Sequence, residues 1–328
     1  MAEATIRDVA QLAEVSVASV SRVLNGSGKV SPAVRERVEA AIAALGYVPH
    51  AAARSLSIAR THSIGVVLPD LHGEFFSEIV RGMETVASER GYLLLLSSLH
   101  KDTSLGTSAL RALRGRVDAA VVMAPHLSDA ELALTLPPGV PVVLLNKRAA
   151  EDSHLSITID NEGGARAIAE HLLARGCRRF VHIAGPSGNA DARERAEAFA
   201  AALSGRDGVL LQVVQGDFSE DSGEAAIAAL LGSGQHFDAV FAANDNMAMG
   251  ALQALRAAGK QVPDEIAVVG FDDIPLARHL GLTTVSVRIA DLGRRALIAL
   301  IDGFEEGIAP FHMVHRVDLV SRATTVRS

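Results

Sequence analysis

Asp70, Asn146, Lys147, Arg148, Asn244, Asp245, Asp272 and Asp273 fall just past short apolar runs, and Arg193 and Arg195 lie on a helical stretch that follows one. Carboxylates, amides and a guanidinium can make paired hydrogen bonds to hydroxyls. Phe75 and Phe76 add aromatic faces on which an apolar ring face can stack. Singly, polar residues at strand ends are usually caps and turns. Together they suit a polyhydroxylated small molecule held in a cleft.

The chemistry of an enzyme is harder to find. Cys177 lies in Arg-Gly-Cys-Arg-Arg, a helix-to-strand turn, which is a poor setting for a catalytic thiol. His312 and His315 sit in a strand-like segment, without the helical spacing of a metal pair. No Gly-x-Ser-x-Gly, phosphate loop or dinucleotide fingerprint follows a strand. The expectation is a protein that binds without turnover, with no cofactor and no metal. A plain binding protein is the other alternative, and residues 1–56 count against it.

A second constellation lies near the N-terminus. Ser16, Ser19 and Ser21 can donate to phosphate, and Arg22 can read guanine bidentately. Val17, Ala18 and Ser19 open a helix whose N-terminal residues would enter a major groove. A three-helix bundle with surface serines is the plainer alternative.

The elements that must position these groups are legible. Thr5 with Asp8 resembles a capping box, and Ile6, Val9, Ala10 and Ala13 form one stripe. Glu14-Val15 breaks the helix, Ser16 caps a second, and Asn25-Gly26 ends it. Ser31-Pro32 opens a third helix with stripe Val34, Val38, Ile42 and Leu45, and Gly46 stops it. Three helices with a short first turn match a helix-turn-helix. Pro49–Leu56 follows, Ala-rich and marginal as a lone helix. Leu56 has no obvious core to enter. It is either an incidental linker residue or an apolar wedge for a minor-groove base step.

From Ser63 onward, strand-like runs alternate with helical stretches. Ile64–Leu68, Tyr92–Ser97, Val117–Met123 and Val140–Leu145 form one strand series. Phe180–Ile183, Val209–Val214, Ala239–Ala243 and Ile266–Gly270 form a second. Helices of 10–15 residues between strands imply parallel βαβ units. Two series imply two doubly wound lobes, whose ligands bind outside the carboxyl ends of the strands.

Composition agrees. The 328 residues are 49% apolar and 21% charged, with a net charge of −7 and one cysteine. Residues 1–60 carry a net +2, so the remainder carries −9, a mildly basic head on an acidic body. One cysteine permits no internal disulfide. The N-terminus has no leader-like apolar stretch, and no apolar run reaches the roughly 20 residues of a membrane span. A cytoplasmic location is the expectation.

A resemblance now becomes specific. Thr5-Ile-Arg-Asp-Val-Ala-Gln-Leu-Ala, Val15-Ser-Val-Ala-Ser-Val-Ser-Arg-Val-Leu-Asn25, Leu45-Gly-Tyr-Val-Pro49 and Ala53-Arg-Ser-Leu56 resemble the signature of the lactose-repressor (LacI/GalR) family. Further along, Gly185-Pro186, Arg195, Ala243-Asn-Asp245 and Val269-Gly-Phe-Asp-Asp273 resemble that family's effector domain and periplasmic sugar-binding proteins. The resemblance implies a homodimer on pseudopalindromic operator DNA. It implies base reading by Val17, Ala18 and Arg22, with Leu56 as the hinge leucine. Thr5, Ser16, Ser19, Ser21, Asn25 and Ala53 complete the candidate DNA contacts. It places Asn146, Arg195, Asn244 and Asp272 on effector contacts, joined by Asp70, Phe75, Phe76 and Arg148, and makes Asp245 and Asp273 structural caps.

Three departures stand out. Asn146 replaces a common Asp, Ala198-Phe199 replaces a Gly-aromatic pair, and Val287 replaces a polar contact of some members. A neutral sugar or glycoside is the first expectation for the effector, a sugar acid or phosphate the second, and a purine or other ligand the third. No terminal leucine heptad is present, so a dimer is expected rather than a tetramer. Helix Phe75–Arg90 is a candidate interface element through Ile79, Met83 and Val86, which could equally be core.

The architecture expected is a small all-α helix-turn-helix head plus an α/β body of two doubly wound lobes of periplasmic-binding-protein type. Residues 1–47 form the head, 48–60 the hinge and 61–328 the body. The N-lobe spans about 61–158 and 289–316, and the C-lobe about 159–288 and 317–328. Effector binding would shift lobe closure and so change hinge spacing, with induction expected first and corepression as the alternative.

Overall fold

The computed structural model describes residues 4–24, 30–47, 60–99, 110–149 and 153–326. The chain divides into two compact units, residues 1–63 with 115–118 and the remainder.

The first unit holds α1 (Ile6–Leu12), α2 (Val17–Leu24) and α3 (Pro32–Leu45). Asp8 works in the capping box despite its short side chain. Its Oδ2 accepts from the Thr5 N–H at 2.8 Å, while Thr5 Oγ1 accepts from the Asp8 N–H at 3.4 Å. Ser16 Oγ accepts from the Ser19 N–H at 3.1 Å and caps α2. Ser31 and Pro32 open α3, and Gly46 closes it in the left-handed region at φ 57°. The core is Val9, Ala10, Ala13, Val20, Val23, Val38, Ala41 and Tyr47. Val38 of the expected α3 stripe is fully buried, whereas Leu45 is exposed. Asn25 and the segment with Ala53 and Leu56 lie outside the described residues.

The second unit carries two parallel sheets. Its first series is β1 (Ser63–Leu68), α4 (Glu74–Arg90), β2 (Leu93–Ser98), β3 (Ala119–Met123), α5 (Asp129–Thr135), β4 (Val142–Leu145) and β5 (Leu155–Ile159). The second is α6 (Asn161–Ala174), β6 (Arg179–Ala184), α7 (Ala190–Leu203), β7 (Leu210–Gln215), α8 (Glu220–Gly232), β8 (Ala239–Ala242), α9 (Asp245–Ala257) and β9 (Ala267–Val269). After these come α10 (Pro275–His279), β10 (Thr284–Ser286), α11 (Ile289–Glu306), β11 (His312–His315) and β12 (Asp318–Val320).

The six-stranded sheet runs β11-β5-β4-β3-β1-β2 and the four-stranded sheet β7-β6-β8-β9, with β10 and β12 as an antiparallel pair. Strands β1, β3 and β4 are buried along their whole length, as a sheet covered on both faces requires. The chain crosses out of the six-stranded sheet after β5, returns between β10 and β11, and leaves again between β11 and β12.

The strand series expected from the sequence omitted β5 and did not name α11. The alternation in Leu-Ser-Ile-Thr-Ile is short, and its neighbours are polar. Helix α11 carries a clear stripe of Ile289, Leu292, Ala296, Leu297, Leu300 and Ile301, all buried. Ile79, Met83 and Val86 are core residues. Their helix, α4, approaches α11 closely: a Cβ on Gly82 would lie 1.9 Å from Ala290 O. Among the described residues, no helix is long and apolar enough to cross a membrane.

Candidate DNA-reading helix and effector site

Helix α2 buries Val20 and Val23 and leaves its other side to solvent. Ser16, Val17, Ala18 and Arg22 are exposed, and Ser19 and Ser21 are half-buried. Val17 is 42% exposed at the first helical position, an apolar side chain that the unit's own core does not use. Thr5 Oγ1 is engaged with Asp8 at 2.7 Å, and Ser16 Oγ lies 2.9 Å from Ser19 Oγ. Both residues therefore already act as caps. The Thr5 hydrogen bonds hold the Asp8 carboxyl below the usual carboxylate range.

In the second unit a buried polar cluster gathers around Arg195 of α7. Arg195 Nε donates to Asn161 Oδ1 at 2.8 Å, and Nη1 donates to Ala243 O at 2.6 Å. Its guanidinium carbon stands 3.7 Å from the centre of the Phe271 ring, and Nη1 lies 3.6 Å from Asp272 Oδ1. Arg195 and Asp272 are both almost wholly buried. Asp191, one helical turn before Arg195, accepts from Asn161 Nδ2 at 2.8 Å and from Asn146 Nδ2 at 3.0 Å. Asn161 Nδ2 also donates to Glu194 Oε2 at 2.8 Å. The end of β4, the start of α6, the first turns of α7 and the loop after β9 thus converge.

The charges do not balance. Asp191 and Asp272 share one buried guanidinium, while exposed Glu194 is tied to Asn161 instead. Burial raises the Asp191 carboxyl above its ordinary value, against the pull of Arg195 and the two amides. Burial pushes Asp272 up to about 7, with Arg195 opposing and Asp191 reinforcing. Asp272 sits at φ 118° and Asp273 at φ 59°, so the site is built on left-handed backbone that non-glycine residues seldom adopt. Asn146 Oδ1, buried among these groups, has no hydrogen-bond partner among the described residues. A buried acceptor left open costs on the order of 1–3 kcal/mol.

The candidate residues separate into two sets. Asn146, Arg195 and Asp272 meet directly. Asn244 lies beside them, where it caps α9 through the Met247 N–H at 3.0 Å and donates to Phe218 O at 3.0 Å. Asp70, Phe75, Phe76 and Arg148 take no part in the network among the described residues. Asp70 is exposed and pairs with His72 Nδ1 at 2.8 Å. Phe75 and Phe76 are half-buried and meet edge to face at 5.4 Å, and Arg148 is exposed. Asp245 is fully buried, accepting from Ile274 N–H at 2.9 Å and Thr284 Oγ1 at 2.5 Å, while Asp273 pairs with Arg322 at 2.6 Å. Val287 is fully buried.

Asn161 and Asp191 belong to the cluster without standing out in the sequence as candidates. Asp191 could have been found, because it lies four residues before Arg195 on the same helical face. Asn161 follows β5, the strand whose short pattern was overlooked.

Comparison with known proteins places both units. Residues 5–50 match the family model of bacterial regulatory proteins of the lacI family, and residues 169–325 match the periplasmic binding protein-like domain. The ribose operon repressor of Halalkalibacterium halodurans is 38% identical over 305 residues, 92% of this chain and 91% of that protein. The HTH-type transcriptional regulator CelR of Thermobifida fusca is 36% identical over 330 residues, 97% of each chain. Among solved structures, the lac repressor dimer bound to operator and the anti-inducer ONPF superposes with a TM-score of 0.90 at 30% identity, covering 99% of this chain and 100% of that one. The complex of CelR with cellobiose gives a TM-score of 0.73 at 34% identity, covering 98% and 100%. A helix-turn-helix unit, a body of two parallel α/β lobes and relatives that are transcriptional regulators rather than enzymes lead to one assignment: the chain belongs to the lacI family of bacterial regulatory proteins.

Proposed function

We propose that this protein is a homodimeric repressor that grips operator DNA through α2 and releases or tightens it when a neutral sugar binds around Arg195. The observation that carries the reading is the buried cluster itself. The Arg195 guanidinium lies beside two buried carboxyls, Asp191 and Asp272, and Asn146 Oδ1 lacks a donor. Hydroxyl groups can donate to the carboxylates and to Asn146 Oδ1 while accepting from Arg195. A sugar acid or phosphate would bring a further negative charge beside Asp191 and Asp272, two acidic groups that burial already makes reluctant to ionise. Neutral sugars are therefore favoured over sugar acids, phosphates and purines. The relatives point the same way, since one is a ribose operon repressor and another was solved with cellobiose.

In this reading Val17, Ala18 and Arg22 address base edges, and Ser19 and Ser21 address phosphate. Thr5 and Ser16 contribute chiefly by holding their helices. Asn25, Ala53 and Leu56 remain proposed contacts outside the described residues. Asn161 and Asp191 join Asn146, Arg195, Asn244 and Asp272 as effector residues. Asp70, Phe75, Phe76 and Arg148 stand as outer contacts. The division into head 1–47, hinge 48–60 and body 61–328 belongs to the same proposal. Self-association is supported by β2, an edge strand whose Leu93, Leu95 and Leu96 are 70%, 39% and 47% exposed. An apolar open edge of this kind calls for a partner.

The test is a thermal-shift screen of the full chain against D-ribose, D-galactose and cellobiose, their acid or phosphate derivatives, and nucleobases. A ligand bound only by the folded state raises the melting temperature. Stabilisation by a neutral sugar is expected. Stabilisation by anionic sugars or nucleobases alone would overturn the effector assignment.

A further inference from the structure

Three crossings join the two lobes, and one residue bonds to two of them, through its side chain to one and its main-chain carbonyl to the other. His315 ends β11, just before the third crossing, and is 3% exposed. Its Nε2 lies 2.7 Å from Val287 O, in the second crossing. Its own carbonyl accepts from the Asp160 N–H, in the first crossing, at 3.0 Å. A carbonyl only accepts, so Nε2 must carry the proton. Burial holds the imidazole below its ordinary pKa, which favours the neutral ring.

These bonds continue into the effector cluster from both sides. The Val287 N–H donates to Asp272 O at 3.2 Å. Asp160 caps α6 through the Gly163 N–H at 2.9 Å, and α6 begins with Asn161, the acceptor for Arg195 Nε. The Arg195–Asp272 ion pair at 3.6 Å closes the path. Asp272, Val287, His315, Asp160, Asn161 and Arg195 form a closed circuit through the first two crossings and back to the site. At the second crossing Arg288, in the left-handed region at φ 50°, adds a bond to Arg316 O at 2.6 Å and an ion pair with Asp318.

We propose that His315 is a positioning residue for effector sensing: its Nε2–H bond to Val287 O locks the crossings to the backbone of Asp272, so that a change at the Arg195–Asp272 pair moves the crossings as one. This rests on the effector reading given above. A contiguous chain of hydrogen bonds through packed elements is a physical route for coupling between a site and a distant element.

The test is backbone amide exchange on the full chain, without sugar. H315L keeps the volume and removes the donor, while H315Q keeps an amide donor. At least tenfold faster exchange is expected at Asp160, Asp272 and Val287 in H315L, with H315Q within threefold of the native chain. Unchanged exchange at Asp160 and Asp272 in H315L, or H315Q as fast as H315L, would overturn the proposal. The second result would mean that packing, not the hydrogen bond, is what matters. If H315L does not fold, the imidazole 15N shifts of the native chain decide. The Nε2–H tautomer is required, and the Nδ1–H tautomer overturns the circuit. Neither measurement uses sugar, so failure here and failure of the effector assignment are read separately.

Discussion

Asn146 and Asp191 are joined across the effector cluster by a 3.0 Å bond from the Asn146 amide to the Asp191 carboxylate. The pair gives a physical reason for an amide rather than a carboxylate at 146. An Asp at 146 would set two carboxylates at that distance in a buried place, and they could not both ionise. N146D should therefore lower the melting temperature, and the loss should be larger at pH 8 than at pH 5. Urea denaturation at both pH values measures it, and an equal loss at each would remove the like-charge explanation.

Arg22 is exposed in α2, and in the proposed reading its guanidinium bonds guanine bidentately. R22A should weaken binding to an operator selected from a random library by about 1–3 kcal/mol and relax preference at one base pair. Fluorescence anisotropy against the selected and single-base variant sites tests this. A uniform loss across all sequences would reassign Arg22 to phosphate.

His182 is fully buried in the four-stranded sheet, stacked on Phe241 at 4.5 Å between ring centres, and burial pushes its pKa down to about 4. In the unfolded chain the ring takes up a proton near its ordinary value of 6.5. The unfolded state therefore binds more protons between these values, and stability is lost as pH falls from about 6.5 to about 4. The loss from this residue approaches ~3 kcal/mol. H182F should flatten that part of the stability profile, read by chemical denaturation from pH 4 to 7.

Asp272 works in the opposite direction. Its folded carboxyl titrates near 7, above the ordinary 3.8. The native state therefore binds more protons over that interval, and stability falls as pH rises from about 4 to about 7. D272N should make this descent shallower. It should also weaken sugar binding, because an amide donates at one of the two positions where the carboxylate accepts. Calorimetric titration with the stabilising sugar from the thermal screen checks the second outcome.

Gly82 lets α4 and α11 approach backbone to backbone. G82A would put a methyl group 1.9 Å from Ala290 O, against a main chain that cannot rotate away. Destabilisation of about 1–3 kcal/mol or more is expected from overpacking, with sugar and operator affinities of the folded fraction retained. A denaturation midpoint equal to that of the native chain would mean that the two helices slide apart at little cost.

The sequence by itself determined the local matters. Caps at Thr5 and Ser16, the Ser31-Pro32 start, the stop at Gly46, and the alternation of apolar runs with helical stretches are properties of neighbours in the chain. They were enough to place the helix-turn-helix, both strand series, and Asn146, Arg195 and Asp272 at strand ends or on the following helix. What the chain order could not decide was which strand ends meet. Asn146 and Asp191 are 45 positions apart, and His315 and Val287 are 28 apart. Their contacts exist only because the chain crosses repeatedly between two sheets. Tertiary structure also chose between the two fates left open for Ile79, Met83 and Val86, burying them in the core, since a helical stripe records that a face is apolar and not what covers it. It likewise separated Asp70 and Arg148, exposed at their strand ends, from Asp191, which is buried between two amides and beside one arginine.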